Sequence, residues 1–384
     1  MQSLSFQTTR SVLYEEGATS KIGQMMADRG CQKVAFVTDA MILKLGLADA
    51  ALDSLKQAGV GVWMFADVVA DPPEEMILNA VAEARDEGVD GVVSIGGGSS
   101  MDTAKLIAVL CNTDQPLDEM YGIGMVKGER LPLVLAPTTA GTGSEVTPIS
   151  IVTTGVAEKK GVVSPQLLPD CAVLDPDLTL GLPSGVTAAT GIDAIVHCIE
   201  AYTSKRLKNL IADALAREGL KLLASNIYQV CETPKDKEAR GNMLMGSMLA
   251  GMAFTNSPVA AVHALAYPLG GHFHVPHGLS NALVLPHVME FNMPEAEELY
   301  AELAPIMFPA LEGKSHGEKI DGMLKGVSAL SPDLGLETTL REVGVEEKDL
   351  TMLAEDSMKQ TRLLVNNPRE VTYEDALAIY TKAF

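Results

Sequence analysis

Short apolar runs alternate with amphipathic stretches through the first half of the chain. Lys33-Val34-Ala35-Phe36-Val37-Thr38-Asp39 reads as a buried strand with an acidic end, and Gly61–Phe65 and Val92–Ile95 read as two more. Between them Lys21–Arg29, Leu47–Gln57 and Glu74–Asp86 carry apolar residues three and four apart, which predicts helices. Leu131–Leu135 predicts another strand, and residues 1–16 suggest a short strand pair ending near Gly17. A strand–helix alternation of this kind predicts a parallel sheet, because parallel neighbours need a crossover and a helix is the usual one.

The pattern changes around Asp175-Pro176 and Leu182-Pro183-Ser184. After them prolines and β-branched runs thin out, and helical periodicity predicts helices near 185–203, 207–225, 236–254, 258–268 and 278–291, with several more before Phe384. A chain of 384 residues also exceeds one typical core. The expectation is therefore two domains, an α/β domain over 1–184 and an all-helical domain over 185–384. No internal repeat or low-complexity tract is visible.

Composition narrows the function classes. The net charge of −21 argues against nucleic acid and anionic membranes as partners. Five cysteines with no CxxC spacing read as buried thiols of a reducing compartment. The start of the chain has no basic leader, and no stretch approaches an uncharged membrane-spanning length, so the expected location is cytoplasmic.

Two kinds of chemistry stand out. Asp193 and His197 are four apart in an Ala-rich helical stretch, Thr187–Tyr202, so both side chains lie on one face. Of seven histidines, His263, His272, His274 and His277 cluster downstream. A carboxylate with three imidazoles suits Zn(II) or Fe(II), although an Asp/His pair at this spacing also occurs on helices that bind nothing. The second feature follows the strand Val92–Ile95: Gly96-Gly97-Gly98-Ser99-Ser100-Met101-Asp102-Thr103-Ala104-Lys105. The glycines let a bulky anion approach. Ser99 is expected to cap the helix with Asp102 three residues on as a capping-box-like partner, leaving N–H groups and the helix dipole for a pyrophosphate. The same run also describes a tight turn without ligand. Asp39 ends its strand either as a ribose-reading acid or as a helix cap. The run Ala136–Thr147 is dense in hydroxyls and glycines, suited to phosphate, ribose or nicotinamide amide, or simply a polar loop.

Four stretches together, Gly96–Lys105, Pro137–Glu145, Thr187–His197 and His263 with Pro276-His277-Gly278, make the chain resemble the iron-containing (group III) alcohol dehydrogenases over essentially its full length. The resemblance implies an N-terminal Rossmann-like parallel-sheet domain and an all-α C-terminal domain, the dehydroquinate synthase-like fold. It implies NAD and one divalent metal ion, Fe2+ or Zn2+, held by Asp193, His197, His263 and His277. Gly97, Gly98 and Ser99 would face the pyrophosphate, and Thr138, Thr139 and Thr142 would line the cofactor. Asp102 would lie near the nicotinamide, and Asp39 matches the position tied to NAD preference. Lys160 is a further contact, with the adjacent Lys159 leaving its register open. The implied reaction is reversible hydride transfer between a small alcohol and NAD, giving aldehyde or ketone, with the metal as Lewis acid. Homodimers or larger homo-oligomers are the family habit.

Two departures stand out. Tyr267 occupies a position where many members carry His, and Asp71 one where many carry Asn. Tyr267 falls one turn after His263 and is expected to shape the alcohol pocket, with His272 or His274 as alternative proton relays. Cys198 points roughly 100° away from His197 on a helix and reads as structural. Phe254 and Gly271-His272-Phe273 are candidate pocket residues. The competing functions are a polyol (glycerol-type) dehydrogenase, a metal-dependent hydrolase and a dinucleotide-binding regulator without turnover. The Gly-rich loop disfavours the hydrolase.

Overall fold

The computed structural model describes residues 4–155 and 158–384. Its strands are β1 (Val12–Tyr14), β2 (Lys33–Val37), β3 (Gly61–Phe65), β4 (Gly91–Gly96), β5 (Gly122–Ile123), β6 (Leu133–Pro137), β7 (Ile149–Thr154), β8 (Glu158–Val163) and β9 (Cys171–Leu174). Helices α1 (Ile22–Asp28), α2 (Ala40–Lys44), α3 (Asp49–Gln57), α4 (Glu74–Asp86) and α5 (Gly98–Leu110) connect them. Six strands form an all-parallel sheet in the order β1-β9-β6-β4-β2-β3.

The uninterrupted apolar strands follow from burial on both faces. Side chains alternate across the sheet, so Ala35, Val37, Leu133 and Leu135 join one apolar cluster while Val34, Phe36, Val134 and Ala136 join the other. From β2 the chain moves outward to β3 and then returns to the opposite side of β2 for β4. The carboxyl ends of β2 and β4 therefore flank a topological switch point, where connecting segments diverge and leave a crevice.

Two readings of the sequence are corrected here. Of the strand pair expected in residues 1–16, only β1 forms among the described residues, and it pairs with β9 at the sheet edge; residues 1–3 lie outside the described residues. A second sheet was also missed: β7 and β8 pair antiparallel, with β5 parallel to β8. The polar run Glu158-Lys159-Lys160-Gly161 in β8 hides it, because half-exposed strands carry little apolar periodicity.

The helices that follow are α6 (Ser184–Thr203), α7 (Leu210–Glu232), α8 (Lys237–Asn256), α9 (Ala261–Phe273), α10 (His277–Met307), α11 (His316–Asp333), α12 (Leu350–Met358), α13 (Thr361–Leu364) and α14 (Tyr373–Ala383). By packing, the chain divides into an α/β unit, Gln7–Thr139 with Gly143–Leu180, and a helical unit. The helical unit gathers Gly181–Phe384, Ala140–Thr142 and, of the described N-terminal residues, Leu4–Phe6. The change of unit thus falls at Gly181 rather than between 184 and 185, and a three-residue excursion joins the helices early. Among the described residues no helix is long and apolar enough to cross a membrane.

Helix α6 is apolar almost all round and packs against α7, α8 and α10. Helix α10 runs past the expected end at 291, through Pro286, Pro294 and Pro305. Each interior proline forfeits a backbone bond at about 3 kcal/mol. Burial of Val284, Val288, Met289, Ala296, Tyr300, Leu303 and Ala304 on one continuous helix outweighs that loss. At its start α10 lies directly on α6: a Cβ at Gly278 would sit 2.2 Å from the Ala189 carbonyl oxygen. That obstacle is backbone, so the helices would have to separate. Gly278→Ala is expected to lower unfolding stability by about 1–3 kcal/mol, read by denaturant titration; unchanged stability would show that the helix start moves freely.

Candidate functional site

The helical unit brings one carboxylate and three imidazoles together. Asp193 and His197 come from α6, His263 from α9, and His277 opens α10. One ligand atom from each lies within 4.8 Å of all the others. Asp193 Oδ1 is 3.9 Å from His197 Nε2, 3.7 Å from His263 Nε2 and 3.5 Å from His277 Nε2. Tetrahedral donors at bond lengths of about 2.1 Å stand roughly 3.4 Å apart, so a slight contraction would close the group around an ion.

The ring tautomers are set from behind. His197 Nδ1 lies 3.2 Å from the Gly141 carbonyl oxygen, which can only accept, so Nδ1 carries the proton and donates. A Cβ at Gly141 would meet Thr190 Cβ at 2.8 Å, and the missing side chain is what lets this carbonyl reach the ring. His263 Nδ1 donates to Glu200 Oε2 at 2.6 Å. Glu200 is buried and also accepts from the backbone N–H groups of Ala260 and Val262, at 3.0 and 2.7 Å. Both rings therefore present a bare Nε2 to the cluster, as metal-binding imidazoles do when a partner holds the other nitrogen.

Burial pushes the His197 ring down to about 3, which keeps it neutral and available as a ligand. Burial alone would push the Asp193 carboxyl up, but the carboxyl stays below the usual range, with the Asn281 amide donating to it at 2.6 Å. Asp193, His197 and His263 are sealed, whereas the His277 side chain is 39% exposed. The cluster therefore opens on the His277 side. The Phe254 ring stacks on His197 at 4.3 Å between centroids and forms a wall. Tyr267 lies 5.9 Å from the His277 ring, one turn after His263 as expected. His272 is engaged elsewhere, its Nε2 2.5 Å from Asp356 Oδ2, and His274 ends α9 in a left-handed conformation with φ 55°.

In the α/β unit the other candidates collect where the strands end. Asp39 follows β2, Gly97 and Gly98 follow β4, and Thr138 follows β6, its N–H donating to the Gly96 carbonyl at 2.9 Å. The cap of α5 is Gly97, not Ser99, and no side chain caps that helix; Ser99 sits inside its first turn. The capping-box role expected of Asp102 is also overturned. Its Oδ1 accepts from Ser144 Oγ at 2.6 Å and its Oδ2 from the Ile151 N–H at 2.9 Å, which draws the carboxylate away from the helix end. The first-turn N–H groups are left for an anion. A Cβ at Gly97 would meet nothing closer than Thr139 Oγ1 at 3.9 Å, so the loop is open on the side where a pyrophosphate could approach.

Asp39 does cap a helix: its Oδ1 accepts from the N–H groups of Met41 and Ile42 at 2.8 and 3.1 Å. Lys159 is committed to Asp71 Oδ1 at 2.6 Å and Thr153 Oγ1 at 2.8 Å. Lys160, its neighbour on the opposite face of β8, lies over the Tyr121 ring at 5.6 Å. Thr142 belongs to the Ala140–Thr142 excursion and is grouped with the helices. Of the five cysteines, all free, Cys31, Cys171 and Cys198 are buried, but Cys111 and Cys231 are half-buried.

Three participants were missed from sequence. Glu200 and Asn281 lacked any motif of their own. The third is a buried network under the strand ends. Lys105 Nζ donates to Ser144 Oγ and the Ile149 carbonyl, both at 2.7 Å, and to Thr147 Oγ1 at 3.2 Å; burial lowers its pKa. Near it Glu145 is buried with Oε1 unpartnered, and burial pushes its carboxyl up to about 7.

Comparison with known proteins gives a consistent result. Residues 9–176 match the family model "Iron-containing alcohol dehydrogenase", and residues 187–384 match "Fe-containing alcohol dehydrogenase family, C-terminal". The chain is 40% identical over 375 residues to long-chain-alcohol dehydrogenase 1 of Geobacillus thermodenitrificans, covering 96% of this chain and 93% of that one. It is 31% identical over 368 residues to the NAD-dependent methanol dehydrogenase of Bacillus methanolicus, covering 96% of each. Among solved structures, a 1,3-propanediol oxidoreductase superposes with a TM-score of 0.96 at 34% identity, covering 100% of both chains.

The raised carboxyl of Glu145 has a consequence for stability. Its folded value lies above the unfolded one, so the folded state holds the proton longer. Unfolding free energy should then fall as pH rises from about 4.5 to about 7, by up to about 1.4 kcal/mol per pH unit for this one group. Glu145→Gln is expected to flatten that part of the stability–pH curve, measured by denaturant unfolding between those limits. An unaltered curve would mean that Glu145 is ionised and satisfied in the fold.

Proposed function

We propose, starting from the fact that this chain belongs to the iron-containing alcohol dehydrogenase family, that it transfers hydride reversibly between a small alcohol and NAD with the help of one divalent ion. Asp193, His197, His263 and His277 hold the ion. The observation that carries this is the convergence of four electron-rich atoms, within 4.8 Å of each other, on a largely buried spot where Asn281 supplies an amide donor. Such a cluster is costly without a cation. The pyrophosphate of NAD lies at the uncapped start of α5, against Gly97, Gly98 and Ser99. Thr138, Thr139, Thr142, Asp102 and Lys160 are the further cofactor residues, and Asp39 reads the adenosine ribose. The methanol dehydrogenase relative is NAD-dependent by name, which supports the choice of cofactor.

A bound divalent ion supplies a Lewis acid for the alcohol oxygen, and NAD supplies the hydride acceptor. The chain's own residues do the rest. The Gly141 carbonyl and the Glu200 carboxylate hold two rings in the ligating tautomer. Phe254 keeps water from the His197 side. The half-exposed His277 edge is where the alcohol enters, and Tyr267 beside it shapes the pocket. Oxidation removes a hydride from the carbinol carbon and releases a proton to solvent. The relatives' names span long-chain alcohols, methanol and 1,3-propanediol. Their common chemistry is a hydroxyl on a carbon that bears hydrogen, which includes a polyol as substrate. No observation favours hydrolysis. The enzyme is a cytoplasmic homodimer or larger homo-oligomer on this reading, in keeping with five free cysteines.

Mixing the protein with NAD and an alcohol panel should produce reduced nicotinamide. His263→Ala should lose most of that activity together with most of the metal found by elemental analysis. Full turnover by a metal-free preparation would refute the assignment. Asp39→Gly should relax the preference for NAD over NADP at a stability cost of only a few tenths of a kcal/mol, since glycine itself caps acceptably. An unmodified protein that used NADP more efficiently would remove Asp39 from the cofactor site.

A further inference from the structure

Asn281 sits four residues after His277 on the same face of α10, fully buried. Its Nδ2 lies 2.6 Å from Asp193 Oδ1, 3.3 Å from His277 Nε2 and 3.4 Å from His263 Nε2. Its Oδ1 is buried with no hydrogen-bond partner. The two ends of an amide have nearly the same shape, so the hydrogen-bond pattern decides which end faces inward. Glu200 takes the proton side of His263, so the Nε2 of that ring is a bare acceptor, and Asp193 is an acceptor throughout. An inward Oδ1 would set one more acceptor against the Asp193 carboxylate and the bare His263 Nε2. The inward Nδ2 satisfies Asp193 and leaves Oδ1 with the desolvation cost of an unpaired carbonyl. A buried polar atom left without a partner marks a side chain placed for its other end.

We infer that Asn281 is a positioning residue for the metal centre: its amide N–H orients the Asp193 carboxylate and keeps the four-ligand cage assembled before an ion arrives. A carboxylate oxygen has two lone-pair directions, so one hydrogen bond from Asn281 leaves room for a metal bond. The inference rests on the metal assignment proposed above. It assigns Asn281 no contact with substrate, and it makes the residue part of the binding free energy of the ion through Asp193.

A double-mutant cycle on the full chain tests it. The proteins are the unmodified one, Asn281→Leu, Asp193→Ala and the pair, with Zn2+ affinity measured by competition against a chelator and unfolding of the metal-free forms followed in parallel. Leucine fills a similar volume and donates nothing. Asn281→Leu should weaken Zn2+ binding by about 10–100-fold when Asp193 is present, the usual effect of removing an orienting partner. It should have an effect below about twofold when Asp193 is already Ala, because no side-chain acceptor is then left for the amide. Equal losses in both backgrounds, or no loss in the first, would overturn the inference and leave Asn281 a packing residue. If the leucine protein does not fold, Asn281→Ala enters the same cycle with the same two outcomes. An unmodified protein that binds no Zn2+ would overturn the metal assignment, and this inference with it, whereas tight binding that ignores Asn281 overturns this inference alone.

Discussion

One buried carboxylate sets the terms for the helical unit. Asp193 is taken out of water at the crossing of α6, α9 and α10, where its charge needs partners of the opposite polarity. His197 comes from α6 itself, but His263 comes from α9 and His277 and Asn281 from α10, so three helix backbones have to approach closely. Gly278 lets α10 rest on the Ala189 carbonyl, and Gly141 lets a loop reach past Thr190 to the back of His197. The cluster is thus a consequence of backbone proximity, which small residues permit, as much as of the ligating side chains.

The α/β unit solves a different problem with the same economy of polar groups. Its sheet is apolar on both faces, so its polar chemistry is confined to the strand ends. There Gly97 leaves a helix terminus without a side-chain cap, and Asp102, which could have closed that terminus, is tied to Ser144, Lys105 and Ile151 instead. The network braces the loop after β6 against α5 with the N–H groups of the first turn turned outward. A helix start without a side-chain cap, braced from beneath, offers N–H groups and a positive dipole end of the kind that anions meet.

Family membership and geometry address different questions. The matches over 9–176 and 187–384 place the chain among the iron-containing alcohol dehydrogenases. The geometry explains how such a sequence keeps the His197 imidazole neutral, two ring tautomers defined and one side of the cluster open. Burial holds His197 unprotonated, hydrogen bonds donated to Gly141 and Glu200 select the free nitrogen, and the exposed edge of His277 leaves access. The departure at Tyr267 falls on that open edge, its ring 5.9 Å from the His277 ring.

Much of this was determined along the chain itself. Strands β2 and β3 and helix α4 begin where periodicity puts them, because local apolar patterns decide which face is buried. The helical spacing of Asp193 and His197, the glycines after β4 and the histidines at 263 and 277 are likewise local signals. Tertiary structure decided what depends on partners distant in sequence. Helix α10 continues through three prolines because α6 and α11 bury its far end, and β8 is a strand because β7 and β5 hold it, despite its charge. Ser99 is not the cap and Asp102 is not its partner, because Ser144 and Ile151, some 42 and 49 residues further on, compete for the carboxylate. Glu200 and Asn281 carry no motif; only the folding of α9 and α10 against α6 brings their hydrogen bonds to His263 and Asp193. Hydrogen bonding and burial between remote segments are set by three-dimensional packing, and a one-dimensional pattern records only the residues that such packing can use.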